Sequence, residues 1–314
     1  MSQGVIYMPL HNVFEQKLEL PIITAPMFLI SGPELVIASC KEGVAASFPA
    51  PNARTIEVLD QWLEQITGEL EAFQQKHPEK KVAPFAVNLI VHPGNGRLNA
   101  ELDLIEKYQV PFVITSVGNP KKAVERLHEI GTTVFHDVIS IKHAHKAISA
   151  GVDGLILVCG GAGGHTGSLN PFAFISQVRE FWQGTIIVGG AVSNGQTVRA
   201  IEILGADLAY VGSRFIATNE SMADQQYKDM LKECDADDVI LSNKFTGMNA
   251  NFLKPSITSV GLDPEKFERK DIAASKAQAW KTVWSAGHGV GSIHDVPSVA
   301  KLIARMKEEY EAVK

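Results

Sequence analysis

The sequence is poor in cysteine, in long apolar runs and in clustered basic residues. Its 314 residues include 3 cysteines, Cys40, Cys159 and Cys234, which lie far apart and form no CxxC pair. This spacing argues against a disulfide framework or a cysteine zinc cluster and is typical of a reducing compartment. Cys159 is best interpreted as a small buried apolar residue rather than as a nucleophile.

The missing features also exclude some classes of partner. No apolar run approaches the roughly 18 residues of a membrane span, and no charged segment followed by an apolar one begins the chain. The formal net charge is −6 without a basic block, so nucleic-acid binding through phosphate contacts is not expected. We therefore expect no nucleic-acid partner, no membrane association and a cytoplasmic location.

What the sequence does contain is a regular alternation of short apolar runs and amphipathic stretches. The apolar runs occupy residues 21–27, 44–48, 85–91, 111–117, 132–138, 154–159, 185–190 and 208–213. Continuously apolar runs are typical of parallel strands that are covered on both faces. Eight strands, seven of them clearly followed by helices, fit a closed (β/α)₈ TIM barrel or an open doubly wound sheet. The count favours the closed barrel, since open sheets usually stop near about six strands.

The alternation ends after Phe215. Residues 220–285 are mostly helical in pattern, and small and polar residues at 245–256 predict a loop within them. We predict a barrel over residues 1–219, closed by 286–314, and a helical cap or substrate domain over 220–285. Inserted after the eighth strand, the cap would lie over the end of the barrel where such enzymes carry their active sites. Pocket candidates in this loop are Phe245, Met248 and Asn249.

The strongest local motif is CGGAGGHTG at residues 159–167, directly after the sixth predicted strand. Five glycines in nine residues cost chain entropy, which makes sense where the backbone approaches a ligand closely. His165 projects from this loop, and histidine is the side chain best suited to proton transfer near neutral pH. A tight turn whose histidine merely bonds backbone is the alternative. Its place at the end of a barrel strand favours a catalytic His165.

Two shorter glycine sites, Gly189-Gly190 and Gly212-Ser213, follow the seventh and eighth predicted strands. Barrels commonly bind phosphate in these two loops through backbone N–H groups. The first strand is not followed by GxGxxG, which argues against a dinucleotide-binding sheet. Ala25-Pro26-Met27, at the end of the first strand, is either a floor for a flat ring or a capping turn. Asn88 lies within an apolar strand, so its amide needs a partner, and a ligand heterocycle at the barrel end can supply it.

In their order along the chain, these motifs resemble those of the nitronate monooxygenases, formerly called 2-nitropropane dioxygenases. The resemblance runs from about residue 18 to the end of the predicted cap and includes Gly212-Ser213-Arg214-Phe215. It implies an FMN-containing barrel with a helical cap. It also implies oxidation of alkyl nitronates, and of nitroalkanes, with O₂ to carbonyl compounds and nitrite.

The resemblance also assigns roles to residues. Those it assigns to cofactor binding are Ala25, Pro26, Met27, Asn88, Gly163, Gly164, Gly189, Gly190, Gly212 and Ser213. The first four would line the isoalloxazine ring, the next two would approach the flavin, and the last four would hold its phosphate. His165 would be the catalytic base for neutral nitroalkanes and an electrostatic partner for their anions. The partners would be a small nitronate and O₂, and a homodimer is compatible with the sequence.

Two departures from the family pattern bear on the reaction. Many members carry Gln and Glu shortly before the GGH motif, where this chain has Val158 and Gly161. Many also carry a lysine on the fifth strand, where this chain has Asp137 beside His136. A carboxylate would not stabilise an anionic flavin. We expect either that His136 or a backbone dipole takes over this role or that the redox behaviour differs.

Other functions fit the same scaffold. Enoyl-acyl-carrier-protein reductases and NADH:quinone reductases share these motifs, so the alternative function is NAD(P)H-dependent reduction of quinones or enoyl thioesters. A flavin-binding protein without turnover is disfavoured, because a carrier needs no general base such as His165. A phosphosugar isomerase is disfavoured because such sites usually need Lys or Glu at the strand ends.

Overall fold

The protein folds into a closed barrel of eight parallel strands. The computed structural model describes residues 11–313. Its strands are β1 Ile22–Thr24, β2 Ala45–Pro49, β3 Phe85–Ile90, β4 Phe112–Ser116, β5 Thr133–Val138, β6 Gly154–Val158, β7 Gly164–His165, β8 Thr185–Gly189, β9 Leu208–Val211, β10 Val239–Ser242 and β11 Ala250–Leu253. The barrel order is β1-β2-β3-β4-β5-β6-β8-β9, and β9 pairs in parallel with β1. The predicted TIM barrel is confirmed, and the open sheet is excluded.

Helices alternate with the barrel strands. They are α1 Pro33–Lys41, α2 Ile56–Lys76, α3 Leu98–Lys107, α4 Lys121–Glu129, α5 Ile141–Ser149, α6 Pro171–Arg179, α7 Gly195–Ile203, α8 Ser213–Ile216, α9 Gln225–Glu233, α10 Lys254–Ser259, α11 Arg269–Ala274 and α12 Val299–Glu311. The helix α12 packs on α7 and α1 and completes the outer layer. Among the described residues, no helix is both long enough and apolar enough to cross a membrane.

Side chains at alternate positions along the strands fill the barrel interior, and aromatic rings pack at one end of it. Phe14 lies inside the barrel, where it stacks on Phe135 at 5.6 Å between ring centroids and meets Phe112 edge-on at 5.1 Å. Phe112 is the first residue of β4, so this aromatic cluster fills the end at which the strands begin. The opposite end, where the strands finish, is the end at which barrels of this architecture carry their active sites.

The segment after the eighth barrel strand contains helices α9, α10 and α11 together with a small sheet that was not predicted. The sheet is antiparallel, has the order β10-β11-β7, and includes two residues of the glycine-rich loop. The expected loop at 245–256 is therefore wrong for residues 250–256, which form β11 and the first part of α10. All four residues of β11 are buried. The polar Asn251 fits there because its amide donates to the backbone oxygen of Ala162.

Candidate active site at the barrel mouth

The predicted site residues all lie at the open end of the barrel. Asn88 lies in β3, and the others lie after β1, after β6, at the end of β8 and in the turn after β9. We call this end, formed by the last residues of the barrel strands and the loops that follow them, the barrel mouth. Because all eight strands are parallel, their carboxyl ends meet there.

The loop after β1 is held by a buried asparagine that sequence reasoning missed. Asn52 accepts a hydrogen bond from the backbone N–H of Leu29 at 2.8 Å. Its amide nitrogen donates to the backbone oxygens of Met27 and Ser31 at 3.0 and 2.8 Å. These three bonds fix the position of Met27 at the mouth. The available signal was an asparagine between apolar and proline residues, which must find partners if it is buried.

The loops of the mouth meet in two places. A Cβ added at Gly212 would lie 3.7 Å from the sulfur of Met27, so the loops after β1 and β9 touch. A Cβ added at Gly163 would lie 2.8 Å from the backbone nitrogen of Gly287 and 3.2 Å from the hydroxyl of Ser213. The Gly287 N–H also donates to the Ser213 hydroxyl at 2.9 Å. The structure thus brings Gly163 and Ser213 together, and only glycine fits at position 163.

A chain of side-chain hydrogen bonds joins the neighbouring strands β3, β4 and β5 at the mouth. The amide nitrogen of Asn88 donates to the Ser116 hydroxyl at 2.7 Å and to the backbone oxygen of Ile114 at 3.1 Å. The Ser116 hydroxyl donates to Oδ2 of Asp137 at 2.5 Å. The carbonyl of Ile114 can only accept, which settles the orientation of the Asn88 amide. Asn88 Oδ1 consequently points away from these partners and bonds to no group among residues 11–313.

Two side chains at the bottom of the mouth have buried polar atoms that find no hydrogen-bond partner among residues 11–313. They are Oδ1 of Asp137 and the hydroxyl of Tyr210, whose ring packs against Gly189. Burial raises the pKa of Asp137 to about 6, and the Ser116 hydrogen bond opposes that shift. Burial, and then the nearby Asp137 charge, raises the pKa of Tyr210 well above 10.0. Sequence reasoning noted Asp137 only as a departure and missed Ser116 and Tyr210.

His136 does not face the mouth, so it cannot take over the role of a lysine there. It alternates along β5 with Phe135 and Asp137, and Phe135 lies in the barrel interior. Since neighbouring residues of a strand face opposite sides, His136 faces the helix layer. There its Nδ1 bonds to the hydroxyl of Thr115 at 2.8 Å. Burial lowers the pKa of His136 to about 4, so the ring is neutral at neutral pH.

The glycine-rich loop after β6 is bound to the cap and to the segment that directly follows it. Residues 164 and 165 pair with β11, and the Gly164 N–H donates to the Ser285 hydroxyl at 2.5 Å. The His288 N–H donates to the backbone oxygen of Gly161 at 2.9 Å. Gly161 and Gly164 have φ values of 92° and 71°, a region that glycine adopts readily. The five glycines allow this path, and the contacts with the cap then fix it.

His165 lies on β7 with part of its ring exposed at the mouth. Trp280 packs edge-on against the ring at 5.3 Å between centroids, and Thr246 Oγ1 lies 3.3 Å from Nε2. Desolvation by these surroundings lowers the pKa of His165 from its usual 6.5. The imidazole is therefore largely neutral at neutral pH, the form in which it accepts a proton. The contact with Thr246 leaves Nδ1 as the freer ring nitrogen.

A second glycine-rich segment, AGHGVGS at residues 286–292, was missed by sequence reasoning. It packs on the loop after β6 through Gly287 and on the loop after β8 through Gly289. The backbone N–H groups of Gly163 and Gly190 donate to no other group among residues 11–313. Free N–H groups in glycine loops are typical of anion sites. The spacing of three glycines at alternate positions was the available signal.

The mouth also contains strained backbone and exposed apolar side chains. Leu29, Val117 and Ala191 follow β1, β4 and β8 and have φ values of 67°, 55° and 58°. A β-branched residue such as Val117 rarely adopts this left-handed conformation. Phe28, Val117 and Ile139 all have large exposed apolar side chains on this rim. Such strain and exposure are typical of ligand sites.

The three cap residues predicted to line a pocket have different surroundings. Met248 is 45% exposed and remains a candidate. Phe245 packs on Phe252 and Phe267 inside the cap, at 4.8 and 4.9 Å between ring centroids. The backbone oxygen of Asn249 accepts from the Thr166 N–H at 3.1 Å, so that residue fastens the cap to the glycine-rich loop.

Comparison with known proteins places the chain in a family. A family model described as nitronate monooxygenase matches residues 12–309. Nitronate monooxygenase of Paraburkholderia phytofirmans is 24% identical, and the match covers 92% of each chain. The (3aS,4S,5R,7aS)-5-hydroxy-7a-methyl-1-oxo-octahydro-1H-indene-4-carboxyl-CoA dehydrogenase of Mycobacterium tuberculosis is 25% identical, over 76% of this chain but only 64% of that protein.

A solved structure extends the likeness to the whole fold. FabK from Thermotoga maritima superposes with a TM-score of 0.79 at 23% identity, over 96% of this chain and 94% of that one. The family model accounts for nearly all the described residues, including the barrel, the cap and α12. The chain therefore belongs to the nitronate monooxygenase family.

Proposed function

We propose that the protein is an FMN-dependent nitronate monooxygenase that oxidises alkyl nitronates, and nitroalkanes after deprotonation, with O₂ to carbonyl compounds and nitrite. The observation that carries the proposal is His165, a largely neutral imidazole held at the mouth between a glycine-rich loop and the cap. Membership of the family supports the same reaction. The exposed apolar rim fits substrates with alkyl chains.

The residues present fit FMN. The free N–H groups of Gly163 and Gly190, with Gly212 and Ser213 close by, suit a terminal phosphate. Residues 25–27 and Gly164 border the space for a flat ring, and Asn88 Oδ1 is an acceptor without a partner. The chemistry that FMN supplies when bound is the transfer of electrons from the substrate to O₂.

The role proposed for His165 is proton transfer. A neutral nitroalkane loses the proton on its α-carbon to a ring nitrogen, and the electron pair of the broken C–H bond passes into the nitro group. Nδ1 is the better candidate for this base, because Nε2 lies against Thr246. A preformed nitronate has already lost this proton, so His165 then serves only to hold the anion.

The experiment is to measure O₂ consumption and nitrite release by the purified protein, supplied with FMN and without reduced nicotinamide. Nitronates should support both, and His165→Asn should lose most turnover of neutral nitroalkanes. His77→Asn, at the exposed end of α2, is the matched control and should not change it. Rapid oxidation of NAD(P)H with a quinone or enoyl thioester, without reaction on nitronates, would replace this proposal with the reductase alternative.

A further inference from the structure

The bottom of the barrel mouth holds a donor and an acceptor that have no partner in the part of the chain that the structure describes. Asp137 and Tyr210 lie on β5 and β9, which are separated by β6 and β8. Both face the barrel interior, since each lies two positions along its strand from a residue of the interior cluster, Phe135 for Asp137 and Leu208 for Tyr210. The other buried side-chain atoms without a partner among residues 11–313 belong to Thr67 and Arg97, outside the barrel strands.

The chemistry of the two groups is complementary. Oδ2 of Asp137 is occupied by the Ser116 hydroxyl, so Oδ1 alone is left to accept. The hydroxyl of Tyr210 keeps its hydrogen because its pKa is raised well above 10.0, so it is left to donate. A buried polar group without a partner costs about 1–3 kcal/mol, and a bound ligand can remove that cost. Asn88 Oδ1 adds a second free acceptor on the Asp137 side.

The two sides of the mouth therefore favour different chemical groups of a ligand. Free backbone N–H groups at Gly163 and Gly190 suit an anion, whereas the Asp137 carboxylate repels one. A ligand with a phosphate at one end and a neutral N–H beside a carbonyl at the other matches both sides. FMN has this pattern, because its ring ends in an imide in which an N–H lies between two carbonyls.

We propose that Asp137 and Tyr210 are flavin-binding residues that recognise the imide edge of the ring. Asp137 Oδ1 accepts from the imide N–H, and the Tyr210 hydroxyl donates to an imide carbonyl. Asn88 and Ser116 position the Asp137 carboxylate through their hydrogen bonds. The proposal rests on the proposed function, because it requires FMN at the mouth. It also gives Asp137 a role that does not depend on replacing a lysine.

The test compares FMN with N3-methyl-FMN, in which a methyl group replaces the imide hydrogen, so that the N–H donor is lost. Binding to flavin-free protein is measured at pH 7.5 by quenching of flavin fluorescence. Wild-type protein should bind FMN about 10–100 times more tightly, as expected when one buried charged acceptor loses its donor. Asp137→Ala should bind the two flavins within about threefold of each other, because the acceptor that discriminates between them is gone.

Tyr210→Phe tests the other half of the pair. It should weaken both flavins about tenfold while keeping the preference for FMN. Tyr108→Phe is the matched control, because the Tyr108 hydroxyl bonds to Asp60 in the helix layer and should not affect either flavin. Far-ultraviolet circular dichroism and thermal unfolding check that each variant is folded.

The outcomes separate this inference from the proposed function. Equal binding of the two flavins by wild-type protein overturns the inference, since a water molecule then satisfies Asp137, and leaves the proposed function intact. This comparison needs no variant, so it holds even if Asp137→Ala does not fold. A preference that persists in Asp137→Ala also overturns it. Failure of wild-type protein to bind FMN at all would overturn both.

Discussion

Asp137→Asn should change how the stability of the flavin-free protein depends on pH. Burial raises the folded-state pKa of Asp137 from 3.8 to about 6. A raised carboxyl pKa means that the folded state holds its proton more tightly, so stability falls as pH rises from the unfolded pKa to the folded pKa. The full shift corresponds to about 3 kcal/mol, of which about 1.4 kcal/mol falls between pH 5 and 7.5. Asparagine does not titrate, so the variant should lose this dependence of the free energy of unfolding on pH.

Urea unfolding followed by tryptophan fluorescence at pH 5 and 7.5 measures the difference. The free energy of unfolding of Asp137→Asn, relative to that of wild type, should rise by about 1.4 kcal/mol when the pH is raised from 5 to 7.5. Asp60→Asn is the control. Hydrogen bonds from Lys107 and Tyr108 lower the pKa of Asp60, so its carboxyl is ionised in both states across this range and should add no slope. The reasoning fails if wild type and Asp137→Asn show the same pH dependence.

Three further predictions concern other parts of the mouth. His165→Asn should retain FMN but release nitrite from neutral nitroalkanes about 10²–10⁴ times more slowly, with a much smaller loss on nitronates; equal losses would remove its role as base. Gly190→Asp should abolish FMN binding, measured as flavin retained on desalting, because a carboxylate would face the phosphate and φ is 137° there; retained flavin would contradict this position for the phosphate. Asn52→Ala should lower the free energy of unfolding by about 2–3 kcal/mol in urea, because three hydrogen bonds to the loop after β1 are lost; a change near zero would mean that the loop is held by other contacts.

The barrel was predictable because its signal is local and repeated. Each buried parallel strand is a short apolar run, and some helix starts carry their own marker, such as Pro33 for α1 or Asn170 and Pro171 for α6. The site loops were predictable for a related reason. In a parallel barrel every strand ends at the same rim, so placing His165 and the glycine pairs after their strands, and Asn88 in the second half of its strand, already brings them to one end.

What the sequence did not reveal depends on contacts between distant segments. Ser116 and Asp137 are 21 positions apart and meet only through the register of β4 and β5. The strand β11 has a composition typical of a loop, and it is extended because β10 and the glycine-rich loop pair with its two edges. Tyr210 resembles any aromatic residue in an apolar strand until the barrel closes around it. None of these features appears as a periodic pattern of residues within a single segment of the sequence.

The two ends of the barrel differ in how completely their side chains are packed and hydrogen-bonded. This difference indicates the position of the functional site independently of any motif. At the end where the strands begin, aromatic rings pack on Phe14 and fill the interior. At the mouth, Asp137 and Tyr210 leave polar atoms unpaired, Val117 holds a strained backbone and Phe28 exposes an apolar ring. Each of these features lowers the stability of the folded protein. Several such features occur together at one rim when the same groups contact a ligand. Substitutions that relieve them should therefore stabilise the flavin-free protein while weakening the binding of FMN.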